Sequence, residues 1–427
     1  MNPRVLRWTL LLIVLIAAVW GGVVVVRADR GLVEAERFAR QGQWLAARSE
    51  IKRYLWLHPH DALAHLHMAE ALTVDSDLTA EAAVPRALAH LKQIPDSSPR
   101  ASRARTQEGR LALLLLHRPY QAEAALRRAI ELDPQNLDAA LLLWKLMNLT
   151  GRSQLAEEDF WRVYDLTPVA ARGELLREWY MNQFFPLAAN TQLDQRLGLL
   201  VANEQTTAVT EHKRFLMFRN AEPDGPLGHA ALGRWYLEER NPQFAHQLLD
   251  EGLPKVIQAP DHPFLLAARI QTQYDLGDFA AAAELFQGWP EPRGGYEYWR
   301  WRAILFDEFH DDREQALSAY DEALRAWPGS ADWQTRFRKA NCLAKMRKPE
   351  AAERERALAK EVEQLMADDI HKELRDVLNR LRDRSGLARV AAYYEKLGRP
   401  REAAGWREYI DGLAAATGAP VKAKAAR

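Results

Sequence analysis

The stretch that decides the fold spans residues 137–168 and reads LDAALLLWKLMNLTGRSQLAEEDFWRVYDLTP. Its first half spaces apolar residues around Ala140 as one helix face does, and its second half does the same around Phe160. Gly151 lies between the halves, where a residue that tolerates positive φ lets the chain reverse. Pro168 then ends the second helix. The stretch therefore predicts two antiparallel helices that approach closely through small residues.

Similar stretches recur from residue 30 to residue 412, in about nine units. Pro134 and Pro168 each end a second helix and are 34 residues apart, a spacing typical of helical solenoids. Three further units carry a glycine where this one has Gly151: Gly42, Gly277 and Gly398. No stretch shows the sustained alternation that predicts a strand, so we expect an all-α protein.

On these residues the chain resembles the tetratricopeptide repeat family. The resemblance implies a right-handed superhelical solenoid of antiparallel helix hairpins, whose concave groove binds a peptide or helix of a partner protein. The expected layout along the chain is as follows: 1–7, a cytoplasmic tail; 8–26, a transmembrane anchor; 30–184, a first array; 185–226, an atypical helical block; 227–358, a second array; 359–384, a long charged helix; 385–412, a terminal unit; 413–427, a disordered basic tail.

Residues 8–26 contain no charged side chain, and as a helix they would be about 28 Å long, close to the thickness of the bilayer hydrocarbon. Arg4 and Arg7 precede them, which favours a cytoplasmic N-terminus and a periplasmic repeat domain. A cleaved signal peptide is the alternative. The apolar run is longer than the core of a typical signal peptide, and this favours a retained single-pass anchor.

The composition argues against several functions. The chain has 58 basic residues (Lys and Arg) and 58 acidic residues (Asp and Glu). It therefore lacks the basic excess that nucleic-acid binding uses. The one cysteine, Cys342, excludes an internal disulfide and a multi-cysteine metal site, and we expect a buried, inert thiol. No phosphate-binding loop or hydrolase motif is present. The sequence therefore predicts no catalytic residue and no cofactor.

Four histidines fall within ten residues: His58, His60, His65 and His67. His65 and His67 are about 200° apart around a helix, so they cannot both join the two turn histidines at one metal ion. We expect structural histidines and no metal site.

Aromatic residues cluster between Tyr296 and Trp301, either as core or as a platform for a peptide. The family register places nine side chains on the concave side, where we expect them to contact a protein partner: Lys145, Asn148, Arg234, Glu238, Tyr298, Trp301, Glu308, Asn341 and Lys345.

Two functions remain open from the sequence. The first is a membrane-anchored interaction scaffold in envelope assembly or maintenance. The alternative is a carbohydrate- or small-ligand-binding protein, or an enzyme, built on a helical solenoid. An open polar groove would favour the scaffold, and a closed pocket with convergent carboxylates or histidines would favour the alternative.

Overall fold

The computed structural model describes residues 30–74, 78–186, 189, 207–325 and 327–416, and this part of the chain is helical with no strand. The all-α prediction is confirmed there. The α-helices are, in chain order: α1 Gly31–Arg40, α2 Trp44–Leu57, α3 Ala62–Val74, α4 Ala80–Lys92, α5 Ala101–Leu114, α6 Pro119–Leu132, α7 Leu137–Leu149, α8 Glu157–Leu166, α9 Arg172–Phe184, α10 Thr207–Ala221, α11 Pro226–Glu238, α12 Pro242–Gly252, α13 Pro263–Asp275, α14 Phe279–Gln287, α15 Gly295–Glu308, α16 Arg313–Arg325, α17 Trp333–Lys345, α18 Pro349–Leu365, α19 Asp368–Leu378, α20 Arg384–Lys396 and α21 Pro400–Ala416.

Successive helices pair as hairpins, and glycine has two separate roles in them. Gly151 has φ +73°, a left-handed conformation that glycine adopts without strain, and the other three turn glycines share it. Gly109 instead permits close packing, because a Cβ there would lie 2.6 Å from Leu126 Cγ of the paired helix. Both observations confirm the hairpins that the sequence predicts.

The residues that the structure describes form two compact units. Those of unit 1 fall within Met1–Leu116 and Ala122–Ala139, and those of unit 2 fall within His117–Gln121 and Ala140–Arg427. The core of unit 1 lies between the α1–α2 and α3–α4 hairpins and includes the buried residues Ile51, Leu72 and Leu91.

In unit 2 the first helices of successive hairpins pack side by side, α11 on α13, α13 on α15 and α15 on α17. Their second helices, α12, α14, α16 and α18, each pack on the preceding first helix. The first helices therefore present one shared face, which we call the first-helix face of unit 2.

The last hairpin of unit 2 packs on helices that lie far earlier in the sequence. Trp179 Nε1 of α9 donates to Glu402 Oε1 of α21 at 3.3 Å, across 223 residues. The Tyr394 hydroxyl of α20 donates to Gln183 Oε1 of α9 at 2.6 Å. Arg399, also buried, donates to Glu402 at 3.0 Å. The end of this unit is thus docked onto α8 and α9 and does not project freely.

Three expected boundaries need correction or comment. The single charged helix predicted over 359–384 is wrong, because α18 ends at Leu365 and α19 begins at Asp368. The break lets α19 bury one stripe of side chains against α9. Residues 413–416 are the last turn of α21, not part of a disordered tail. Within the block 185–226 the structure describes α10, and much of the remainder lies outside the described residues.

No helix of the described residues is long and apolar enough to span a bilayer. The predicted anchor at 8–26 and the tail at 1–7 lie outside the described residues, so both stay predictions, as does the right-handed superhelix.

Candidate functional site

Unit 1 carries two adjoining cavities, which together we call the unit 1 groove. One, of about 590 Å³, lies between α3, α5 and the start of α7, and the other, of about 370 Å³, lies between α1, α2 and α3. Glu70 and Arg103 line both cavities and so join them. Both are open to solvent, as a site for an extended segment needs to be.

One wall of the unit 1 groove is fixed by Asn136, which precedes α7. Its side-chain nitrogen donates to Ser102 Oγ at 2.7 Å and to Thr106 Oγ1 at 2.9 Å, both on α5. Its side-chain oxygen accepts from the backbone N–H of Ala139 at 3.0 Å, which caps the start of α7. These bonds fix Asn136 on α5, within unit 1, at the edge of the larger cavity.

An acidic patch lies where the two cavities join. His67 stands between two carboxylates, with Nε2 3.6 Å from Glu36 and Nδ1 3.7 Å from Glu70. The neighbouring His67 lowers the pKa of Glu70 against the opposing effect of burial, and the nearby charge of Arg103 lowers it further. Glu70 therefore carries a negative charge inside the groove at neutral pH.

Two guanidinium groups of α5 are exposed at the groove. Arg103 and Arg110 lie two turns apart on one face of the helix, with Gln107 between them. Among the residues that the structure describes, neither guanidinium makes a hydrogen bond or an ion pair. Arg105, on another side of the same helix, is bonded to Asp96 at 3.0 Å. Arg103 and Arg110 are thus free to bind anionic groups of a ligand.

Apolar side chains accompany these charges. Leu66 and Leu111 are buried beneath the larger cavity, while Val74 and Leu115 remain exposed at its edge. A ligand that covered Val74 and Leu115 would gain hydrophobic contact that the free protein lacks.

Three of the five predicted partner-binding charges of unit 2 are ion-paired with other side chains of that unit. Arg234 is ion-paired with Glu297, and its guanidinium lies 5.1 Å from the centre of the Phe264 ring. Lys345 Nζ lies 2.9 Å from Asp307 Oδ1.

Glu308 belongs to the same paired set. It accepts from the Tyr274 hydroxyl at 2.6 Å and is ion-paired with Arg338. These pairs join neighbouring helices of the first-helix face.

Three predicted contact residues are buried, and the prediction that they face a partner needs correction. Asn148 is 0% exposed, Tyr298 is 3% and Trp301 is 2%. Tyr298 stacks on Phe286 at 5.2 Å between ring centres, and Trp301 meets Tyr274 edge-on at 5.6 Å. Both rings are buried between neighbouring helices, in agreement with the alternative that the aromatic cluster belongs to the core.

The remaining predicted residues are accessible. Glu238 and Asn341 are exposed and Lys145 is partly exposed. Partner contact at these positions stays a prediction.

The histidines do not gather around one point. His65 is buried, with Nε2 2.9 Å from the Pro59 carbonyl oxygen and Nδ1 2.9 Å from His90 Nδ1. Among the described residues, no group of three His, Cys, Asp or Glu side chains is placed to hold a metal ion. Cys342 is fully buried, and burial raises the pKa of its thiol to about 11.

Sequence reasoning missed the unit 1 groove. A signal existed, because Arg103, Gln107 and Arg110 follow the i, i+4, i+7 spacing of one helix face on a first helix. The aromatic cluster between Tyr296 and Trp301 favoured a site in unit 2 instead.

No protein-family model and no curated protein matches the chain. Solved structures similar to it include Pseudomonas aeruginosa pilF, at 20% identity over 55% of this chain and 96% of that chain, with a TM-score of 0.27. A human IFIT1 dimer with m7Gppp-AAAA has 14% identity over 91% of this chain and 90% of that chain, with a TM-score of 0.35. A tetratricopeptide repeat protein from Parabacteroides merdae has 11% identity over 78% and 99%, with a TM-score of 0.27. None of these likenesses carries a function over to this chain.

Proposed function

We propose that the protein is an interaction scaffold that binds an extended segment of a partner protein in the unit 1 groove. The observation that carries the proposal is the combination of an open groove with two unpaired guanidinium groups, Arg103 and Arg110. A segment with acidic side chains would pair with them, and its apolar side chains would cover Val74 and Leu115. The scaffold has no catalytic role in this proposal.

The chain is held at a membrane in the same proposal. The uncharged stretch 8–26 supports a single-pass anchor, and Arg4 and Arg7 support a periplasmic repeat domain. Anchoring would concentrate the groove near an envelope complex. A C-terminal fusion to alkaline phosphatase, which is active only outside the cytoplasm, tests the orientation. Activity only from a cytosolic reporter would overturn it.

Crosslinking in cells, followed by recovery of the protein from the membrane fraction, tests the groove. The variant Arg103→Glu with Arg110→Glu reverses both charges without touching the core. Arg86→Glu is the matched control, because Arg86 is an exposed arginine of α4 in the same unit that lines neither cavity.

We expect wild type and the Arg86 control to recover the same protein partner, and the double variant to lose it while its circular dichroism is unchanged. Recovery of the same partner by all three proteins would refute the groove assignment. Recovery of no partner by wild type would favour the carbohydrate- or small-ligand-binding alternative.

A further inference from the structure

The outward face of α2 is apolar and basic, and no other part of unit 1 that the structure describes covers it. Trp56 is 72% exposed and Leu45 is 52% exposed. They lie three turns apart on one side of α2, whereas Ala47 and Ile51 point into the core of unit 1. Tryptophan side chains are seldom so exposed, and this exposure indicates a surface that another molecule covers.

Two cations lie on the same face. Lys52 and Arg53 precede Trp56 by one turn, and both are exposed. Arg53 is ion-paired with Glu50, while Lys52 makes no bond among the residues that the structure describes. Residues 30–60 contain six Lys or Arg and three Glu, whereas the whole chain has no net charge. This hairpin therefore carries a local positive excess.

The described part of unit 1 begins at the end of the hairpin that carries Trp56. Gly31 is packed against α2 so closely that a Cβ there would lie 2.8 Å from the Glu50 carbonyl oxygen and 3.4 Å from Tyr54 Cβ. Trp56 is half a turn beyond Tyr54, at the same end of the hairpin. The predicted anchor ends at residue 26, and four residues span at most about 14 Å. The face is thus within reach of the surface from which the anchor would emerge.

We propose that this face of α2, formed by Leu45, Lys52, Arg53 and Trp56, lies on an anionic lipid surface. The indole would sit at the headgroup level, where tryptophan is enriched, and the cations would meet lipid phosphates. The inference rests on the anchor in the proposed function. Positive charge and closeness to the anchor favour lipid over a protein as the occupant, since a protein site would need more apolar area than two separated side chains.

Spin-label accessibility in the full-length chain tests the inference. In a Cys342→Ala background, a nitroxide is attached at His60→Cys, an exposed turn position just after α2. A second label at Arg110→Cys, an exposed position of α5 at the unit 1 groove and outside this hairpin, is the matched control. Both proteins are placed in nanodiscs of phosphatidylcholine, with or without one third phosphatidylglycerol, and collisions with oxygen and with a water-soluble nickel chelate are measured.

We expect the oxygen-to-nickel accessibility ratio at position 60 to rise several-fold when phosphatidylglycerol is present, and the ratio at position 110 to stay constant. The double variant Trp56→Ala, Lys52→Gln should return position 60 to its phosphatidylcholine value. An unchanged ratio at position 60, or a rise that survives the double variant, would overturn the inference. Loss of a crosslinked protein partner in the double variant, with the label still exposed to water, would show that the face docks a protein.

If the full-length chain failed to insert into nanodiscs, the proposed anchor would be refuted, and this inference would be refuted with it. Partner capture by the unit 1 groove is measured separately, so the two failures are distinguishable.

Discussion

His371 should make the stability of unit 2 depend on pH. The ring lies on α19 and is buried where that helix packs on α9. Its Nδ1 is 2.9 Å from the Tyr180 hydroxyl, which can donate to it while the imidazole is neutral. The Phe184 ring stacks on it at 4.4 Å between centres. Its Nε2 has no hydrogen-bond partner among the described residues, so a proton added there would be buried without an acceptor.

Burial lowers the pKa of His371 from 6.5 to about 4, against the opposing charge of Asp368 on the same helix. The unfolded chain therefore binds this proton more readily, and stability falls as the pH drops from about 6.5 toward 4. Between pH 7.5 and pH 5 the loss from this one residue is at most about 2 kcal/mol, and below pH 4 it reaches at most about 3 kcal/mol. Above about pH 7.5 the residue contributes almost no pH dependence.

Urea unfolding at pH 7.5 and pH 5, followed by circular dichroism, measures this loss. His371→Phe keeps an aromatic ring in the site and leaves the Tyr180 hydroxyl unpaired, a cost that is the same at both pH values. The variant should therefore lose about 2 kcal/mol less than wild type between the two conditions. His310→Gln, which removes an exposed imidazole of the same unit, should keep the wild-type dependence. Equal losses in wild type and His371→Phe would refute the reasoning.

Three further outcomes are expected. Gly109→Ala should cost about 1–3 kcal/mol in urea unfolding, because its Cβ would lie 2.6 Å from a side-chain carbon of the paired helix. Gly288→Ala, whose Cβ would lie 3.4 Å from the Leu285 carbonyl oxygen, should cost much less, and equal costs would contradict this reasoning. Glu402→Ala should cost about 3 kcal/mol or more, because Arg399 would keep only part of its pairing in a buried site, and a neutral result would show that water reaches this pair. Cys342 should react slowly with a thiol reagent in the native protein and fast in urea, so fast native labelling would show that the thiol is accessible.

Local patterns predicted the hairpins of this chain well. A glycine that ends one helix and small residues at the contact between two helices act within about 34 residues, so a single unit such as 137–168 contains the whole signal. Gly151 has the expected positive φ, and Gly109 has the expected close contact. The break in the predicted helix 359–384 lacked such a signal, because neither glycine nor proline occurs between Leu365 and Asp368.

Contacts between helices that are distant along the chain could not be predicted from the sequence. The bond from Trp179 to Glu402 joins residues 223 apart, and no local spacing marks either as the other's partner. The same reason explains the error at Tyr298 and Trp301. A family register states which face of a helix a residue occupies, but burial depends on how large the neighbouring side chains are, and here neighbouring rings such as Phe286 cover that face.

The unit 1 groove and the first-helix face of unit 2 differ in whether their charged side chains are already ion-paired. This difference sets how much free energy a charged ligand would gain at each surface. A ligand carboxylate that approached Lys345 would have to displace Asp307, which lies 2.9 Å from the ammonium group, so it would exchange one pair for another and gain little. A carboxylate that approached Arg110 would displace no carboxylate of the described residues, and one that approached Arg103 would share it with the nearby charge of Glu70. At these exposed positions each new pair would be worth up to about 1 kcal/mol. On the first-helix face of unit 2, Arg234, Glu308 and Lys345 are already ion-paired within the unit. These pairs link its helices to one another. We therefore favour the unit 1 groove as the proposed site for an acidic segment. Exchanging its two arginines for lysines, which cannot form the planar fork, should weaken binding even though the charge is kept.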